Sequence, residues 1–168
     1  MWRGSAERSV RNMLNHTLRI AAVVAGFAVA GTASASAAGK TETLRFFSKV
    51  DKVTLTHADG TVVTDPSVQA VAGDRLDVFA SDFAGNHKRH AKRSTASEHV
   101  VCMFTAASPE PDCTAHVAIG GSMLIFQGYP GTVVGGAGRY LGATGKVISN
   151  KTVGNSNDSD VVAKITLR

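Results

Sequence analysis

From Leu44 onward the chain alternates short apolar runs with turn residues. Leu44 to Leu55 (LRFFSKVDKVTL) is rich in β-branched and aromatic residues. Asp59-Gly60 then marks a turn before Thr61-Val62-Val63, and Ala72-Gly73-Asp74 breaks the chain before Arg75 to Phe83. Gly85 to Ser97 reads as a polar, basic loop. His99 to Thr105 and Cys113 to Ile119 form the next pair of strands, and Gly120-Gly121 is a turn signal before Ser122 to Gly128. After Tyr129-Pro130-Gly131 come Thr132 to Val134 and a strand over Tyr140 to Ile148, then the polar loop Asn150 to Asp160 and Val161 to Arg168. The last strand puts Val161, Ala163, Ile165 and Leu167 on one face and Lys164, Thr166 and Arg168 on the other, with Val162 the exception. Period two with one wet face is the mark of an antiparallel sheet. About eight such strands, and no amphipathic helix of ordinary length, predict an all-β sandwich or closed barrel.

The run VVGGAGRYLGATGKV, residues 133–147, tests a nucleotide-binding alternative. A phosphate-binding G-x-x-x-x-G-K-[ST] loop ending on Gly145-Lys146 would need Gly at 140 and Ser or Thr at 147, where Tyr140 and Val147 stand. A G-x-G-x-x-G fingerprint starting at Gly136 meets Leu141 at its third glycine, and no helix follows. The run instead predicts a tight reversal at Gly135, Gly136 and Gly138, with Gly142 and Gly145 inside the next strand to bend a small barrel.

The amino-terminal end changes the charge argument. Residues 1–19 carry Arg3, Arg8, Arg11 and Arg19 against Glu7; residues 20–31 are apolar and small, and Ala33-Ser34-Ala35 and Ala35-Ser36-Ala37 fit small-x-small cleavage sites. This is the pattern of a secretory signal peptide over 1–37, with one domain over 38–168. The apolar run is short for a membrane span, which needs about 20 residues, so the expectation is an exported chain with no stable membrane insertion after cleavage. The whole chain carries +5, but residues 38–168 hold 14 basic and 12 acidic residues, a net charge of +2. Nucleic-acid binding thereby loses its main support. Cys102 and Cys113 bracket the loop MFTAASPEPD, and export favours a disulfide between them over two buried thiols.

The glycine run, with GGSMLIFQG upstream of it, resembles the signature near the end of dirigent proteins and the corresponding stretch of plant allene oxide cyclases and their bacterial relatives. The order AGDRLDVFASDF, variable loop, HVVCMFTAA, hairpin, GGSMLIFQG, glycine run and final strand extends the likeness over Leu44 to Arg168. The resemblance implies a calycin-like, eight-stranded antiparallel β-barrel with a lumen, chemistry without a cofactor, and a cysteine pair placed as in the exported bacterial branch. It implies a small apolar ligand, cyclisation (isomerase-type) or coupling steered by confinement, and a homo-oligomer as in the plant relatives. The alternatives are a non-catalytic carrier of hydrophobic ligands, as lipocalins are, and a structural or interaction barrel whose lumen is plugged by side chains.

Candidate residues follow from strand position. Asp51, Asp77 and Asp82 stand in otherwise apolar strands; an acid inside a barrel would have a perturbed pKa, whereas one facing water or paired with Lys or Arg would not act as a catalyst. Alternation around the cysteines offers two faces, Val100, Cys102 and Phe104 or His99, Val101, Met103 and Thr105, either of which could line a lumen. Tyr129, Arg139 and Tyr140 sit at turns and are candidates for a barrel rim. His87-x-x-His90 has usable metal spacing, but Lys88, Arg89, Lys92 and Arg93 surround it, so the expectation is a solvated loop and no metal site.

Overall fold

The computed structural model describes residues 39–65, 68–108 and 110–168; the leader expected over 1–37 lies outside them. Ten strands and one 3-10 turn are formed among the described residues: β1 (Thr41–Thr56), β2 (Val62–Val63), β3 (Arg75–Asn86), β4 (Arg89–His90), β5 (Ala96–Met103), β6 (Asp112–Ile119), β7 (Ser122–Gln127), β8 (Thr132–Ala137), η1 (Gly138–Tyr140), β9 (Thr144–Thr152) and β10 (Ser159–Thr166). Chain contacts separate residues 38–63 and 70–168 as one unit, and this unit is the barrel. In the short stretch 64–69, the Val68 N–H donates to the Asp65 carbonyl at 3.2 Å.

Eight strands close on themselves in the order β1-β10-β9-β8-β7-β6-β5-β3, and the pairing of β3 with β1 completes the ring. Every paired seam is antiparallel. Closure rests on the length of β1. Its first half pairs with β10, Thr41 opposite Thr166, and its second half with β3, Thr56 opposite Arg75. Phe46, Phe47 and Ser48 pair on both sides, and a bulge at Asp51 resets the register against β3. An extra residue of this kind bends a strand and increases its twist, which a small closed barrel requires. The β8–β9 seam is the opposite case, paired only at Thr132 and Lys146.

The inward face follows from register. Glu42, Leu44, Phe46 and Ser48 of β1 stand opposite Ile165, Ala163, Val161 and Ser159 of β10, and Ala80 and Asp82 of β3 stand opposite Glu98 and Ala96 of β5. Leu124, Ile165 and Tyr140 are fully buried and pack with Val117, Phe126, Val133 and Ala163 into the core. Val100 and Cys102 share the inward face with Val78 and Leu76, which decides between the two faces left open by the sequence.

The glycine run differs in detail from its reading as a short hairpin. β8 runs on through Gly135 and Gly136, and η1 separates it from β9, which starts at Thr144 rather than at Tyr140. The reason lies in two close approaches. A side chain at Gly136 would collide with the Tyr140 carbonyl, so the chain there lies against η1. Gly145, at φ +149°, lies against the Lys164 carbonyl of β10. The expected loop over Gly85 to Ser97 also contains structure: Asn86 Oδ1 accepts from the Lys88 and Arg89 N–H groups at 3.0 Å each, turning the chain into the β3–β4 hairpin.

Cys102 and Cys113 form a disulfide directly across β5 and β6, with Cα atoms 4.0 Å apart. It closes a short hairpin loop, for which the chain-entropy model gives about 3 kcal/mol. Replacing both cysteines by serine should lower the unfolding free energy by about that amount while leaving the far-ultraviolet circular dichroism unchanged; urea titration measures it.

Candidate functional site

Three polar side chains meet on the inward face at the closing seam. Ser48 of β1 is directly opposite Asp82 of β3, and Glu98 of β5 is the diagonal neighbour of Asp82 on the same face. Ser48 and Asp82 are 5% and 2% exposed. The Ser48 hydroxyl donates to Glu98 Oε2 at 3.3 Å. Asp82 Oδ1 is buried with no hydrogen-bond partner among the described residues. Around the three, the inward positions Phe46, Ala80, Ala96 and Val117 are apolar.

This environment makes both carboxyls weak acids. Burial raises Asp82 to about 6, against the opposing hydrogen bond of Ser48 and with a further push from the Asp51 charge. Burial, and then the neighbouring Asp82 charge, raise Glu98 to about 7. Near neutral pH one carboxyl can keep a proton while the other accepts one, as a general acid and base require. Glu98 was not singled out in the sequence. Its signal was present in the register: had the inward set Val100–Cys102 been known, Glu98 would have followed two residues upstream.

The other candidate acids face outward. Asp77 accepts from Arg75 at 2.8 Å and from His99 Nε2 at 2.8 Å; burial raises its pKa, but Arg75 and His99 outweigh this and leave it lowered. Asp51, at the β1 bulge, accepts from the Ser81 hydroxyl at 2.6 Å. His99 stacks flat on Phe79 with ring centres 4.2 Å apart, beside a groove of about 470 Å³ that His116, Met123 and Glu98 also border.

The ring candidates fall at two ends. Strand directions put Phe104 just beyond β5, and Tyr129 between β7 and β8, at the disulfide end. Phe104 is tied down there by its N–H to the Asp74 carbonyl at 3.0 Å, and Tyr129 is exposed. At this end the inward residues Leu55, Leu76, Val78 and Val100 are only half-buried, and Val53 is 47% exposed, so the barrel presents an apolar inner wall to solvent. Arg139 and Tyr140 occupy the opposite end. Tyr140 is 1% exposed and fills the barrel floor. Arg139 lies 4.8 Å over its ring and pairs with Glu42, while burial and then the Glu42 charge raise the Tyr140 hydroxyl above its ordinary range.

His87 and His90 do not face each other across a metal. His87 pairs with Asp160 at 2.6 Å, and the His90 ring packs on Phe47 and Phe83, 5.1 and 5.3 Å between centres. Among the described residues no cluster of three metal-ligating side chains occurs.

The acid pair has a measurable signature. In the unfolded chain both carboxyls ionise near pH 4, whereas the folded barrel holds their protons up to about 6 and 7. Their contribution to stability is therefore complete below about pH 4 and is lost as pH rises through the folded values. Asp82→Asn should be more stable than the native chain at pH 7.5, by on the order of 1–3 kcal/mol, and the difference should vanish near pH 4.5; urea unfolding across this range checks the sign.

No family model matches the chain, and no curated protein sequence matches it. Among solved structures it is similar to a protein named pyocyanin demethylase, with 17% identity over 76% of this chain and 100% of that one, and a TM-score of 0.49.

Proposed function

We propose that this chain is an exported barrel, akin to the allene oxide cyclase and dirigent group, that takes a small, mostly apolar molecule in at its disulfide end. Asp82 and Glu98 then act on that molecule as a proton-transferring pair and steer its cyclisation or coupling. The observation that carries this reading is the unpartnered Asp82 carboxylate oxygen beside a second, half-buried acid, Glu98, in otherwise apolar surroundings. Burying one acid beside another costs stability, and a fold gains nothing structural from an oxygen left without a donor. Such groups gather where a substrate supplies the missing partner.

The chemistry asks only for protons. The carboxyl that keeps its proton donates to a developing oxyanion or leaving oxygen, and the ionised one removes a proton elsewhere on the same ligand. The half-buried wall of Val53, Leu55, Leu76, Val78 and Val100 holds the apolar body in one conformer, which lowers the entropic part of the barrier. No helix of the described residues is long and apolar enough to cross a membrane, and the disulfide suits an oxidising compartment; both are compatible with export.

The test begins with native mass spectrometry of the protein from its own producing culture, which identifies any retained ligand. Turnover of that ligand should follow a bell-shaped pH profile with its optimum between about 6 and 7, set by Asp82 below and Glu98 above. Asp82→Asn and Glu98→Gln should still bind it and lose on the order of 10²-fold or more in rate. Binding that persists in all three proteins without turnover would make the barrel a carrier. Absence of any ligand, with no uptake of a hydrophobic dye, would leave a plugged barrel built around Tyr140.

A further inference from the structure

The β3–β4 hairpin and the chain that follows it carry four cations in six residues, Lys88, Arg89, Lys92 and Arg93. A basic loop is ordinarily a solvated, mobile feature, but this one is fastened along its length. Asn86 Oδ1 holds the turn. The His87 N–H and ring both bond Asp160 of β10, at 2.7 and 2.6 Å. His90 packs on Phe47 and Phe83; the Ala91 N–H donates to the Ala84 carbonyl at 2.8 Å, and the Thr95 N–H to the Asp82 carbonyl at 2.8 Å.

These fastenings use histidines, an asparagine and the backbone, and leave the cations out. None of the four side chains has a hydrogen bond or ion pair among the described residues, and all four residues are exposed. The hairpin lies over Phe47, and strand alternation puts Arg45 and Lys49 on the same outer face of β1, one on each side of it. They are exposed and unpaired as well. Nearby acids are engaged: Asp160 by His87, and Asp158 by the Val50 N–H at 3.0 Å. Six of the 14 basic residues in the 38–168 domain thus share one rigid patch, although that domain is nearly neutral as a whole.

The geometry points to this patch as a docking surface for an acidic polysaccharide, a flexible chain with repeated sulfate or carboxylate groups. Preorganised, unpaired Arg and Lys side chains bind such a chain by charge and by release of its counterions. The rings of the hairpin, His87 and His90, are engaged, by Asp160 and by Phe47 and Phe83, and the hairpin carries no large apolar side chain to enter a bilayer. The surface lies on the outer face of the barrel wall and takes no part in the reaction proposed inside.

The experiment is fluorescence anisotropy with a labelled heparin oligosaccharide on the folded protein, from 50 to 300 mM NaCl. Binding should weaken with salt, with a log–log slope of about −2 to −4. The combined variant Lys88→Ser, Arg89→Ser, Lys92→Ser, Arg93→Ser should bind at least tenfold more weakly at the lowest salt. A second variant, Arg45→Ser with Lys49→Ser, leaves the hairpin untouched and should lose about threefold, roughly one cation's worth of the salt-dependent term. Removing the same charge elsewhere, by Lys40→Ser, Arg75→Ser, Lys146→Ser and Arg168→Ser, should change binding by less than twofold. Equal loss in that control would reduce the effect to net charge and overturn the proposal. So would undetectable binding at 50 mM, or tighter binding to duplex DNA or to phosphatidylglycerol vesicles than to heparin.

Discussion

Closure of β1 onto β3 is the constraint from which the rest of the molecule follows. A curved sheet of eight strands has two raw edges, and exposed edges invite pairing with other chains. Here β1 removes both by being long enough to serve as first and last strand at once, and Phe46, Phe47 and Ser48 bond to both neighbours. The seam decides what the interior holds. Ser48 is brought opposite Asp82 because it lies where the two halves of β1 overlap, and Glu98 follows by register from β5. Outside the same seam, Phe47 and Phe83 form the bed on which His90 rests, and His87 ties the end of β3 to β10. The inner acids and the outer basic hairpin are thus opposite faces of one joint.

That joint also sets a balance between stability and chemistry. The far end of the barrel is packed in the ordinary way, with Leu124, Ile165 and Tyr140 out of solvent. The disulfide end keeps apolar side chains half-exposed, and the two acids, whose charges repel each other, stand farther along the barrel, where the last part of β3 meets the start of β5. A chain selected for stability alone would place an apolar side chain at Asp82. A packed core elsewhere in the barrel is the foothold that permits so costly a site.

Much of the barrel was legible in the sequence. Period-two alternation identified the strands, and Val161 to Arg168 announced its buried face, which the structure bears out at Ala163 and Ile165. The disulfide followed from two cysteines around a hairpin loop. What was not legible depended on register. Asp51, Asp77 and Asp82 look alike as acids in apolar strands, and the bulge and the β1–β3 pairing alone place Asp82 inside and the other two out. Glu98 was hidden for the same reason, since a glutamate two positions before Val100 is indistinguishable from a surface residue until the faces are assigned. Arg139 and Tyr140 stand at the barrel end away from the disulfide, Arg139 exposed and Tyr140 turned into the core, and the carbonyl of Tyr140 lies close against Gly136.

The thin seam between β8 and β9 has its own consequence. Thr132 faces Lys146 there, the Val147 N–H reaches back to the Gly131 carbonyl at 2.9 Å, and the ladder goes no further. A ring of strands opens first at its least stitched joint, and local opening draws on the weakest hydrogen-bonded stretch. The wall of this barrel is therefore a clasped bracelet, with its clasp between β8 and β9, two strands along the ring from the overlap of β1.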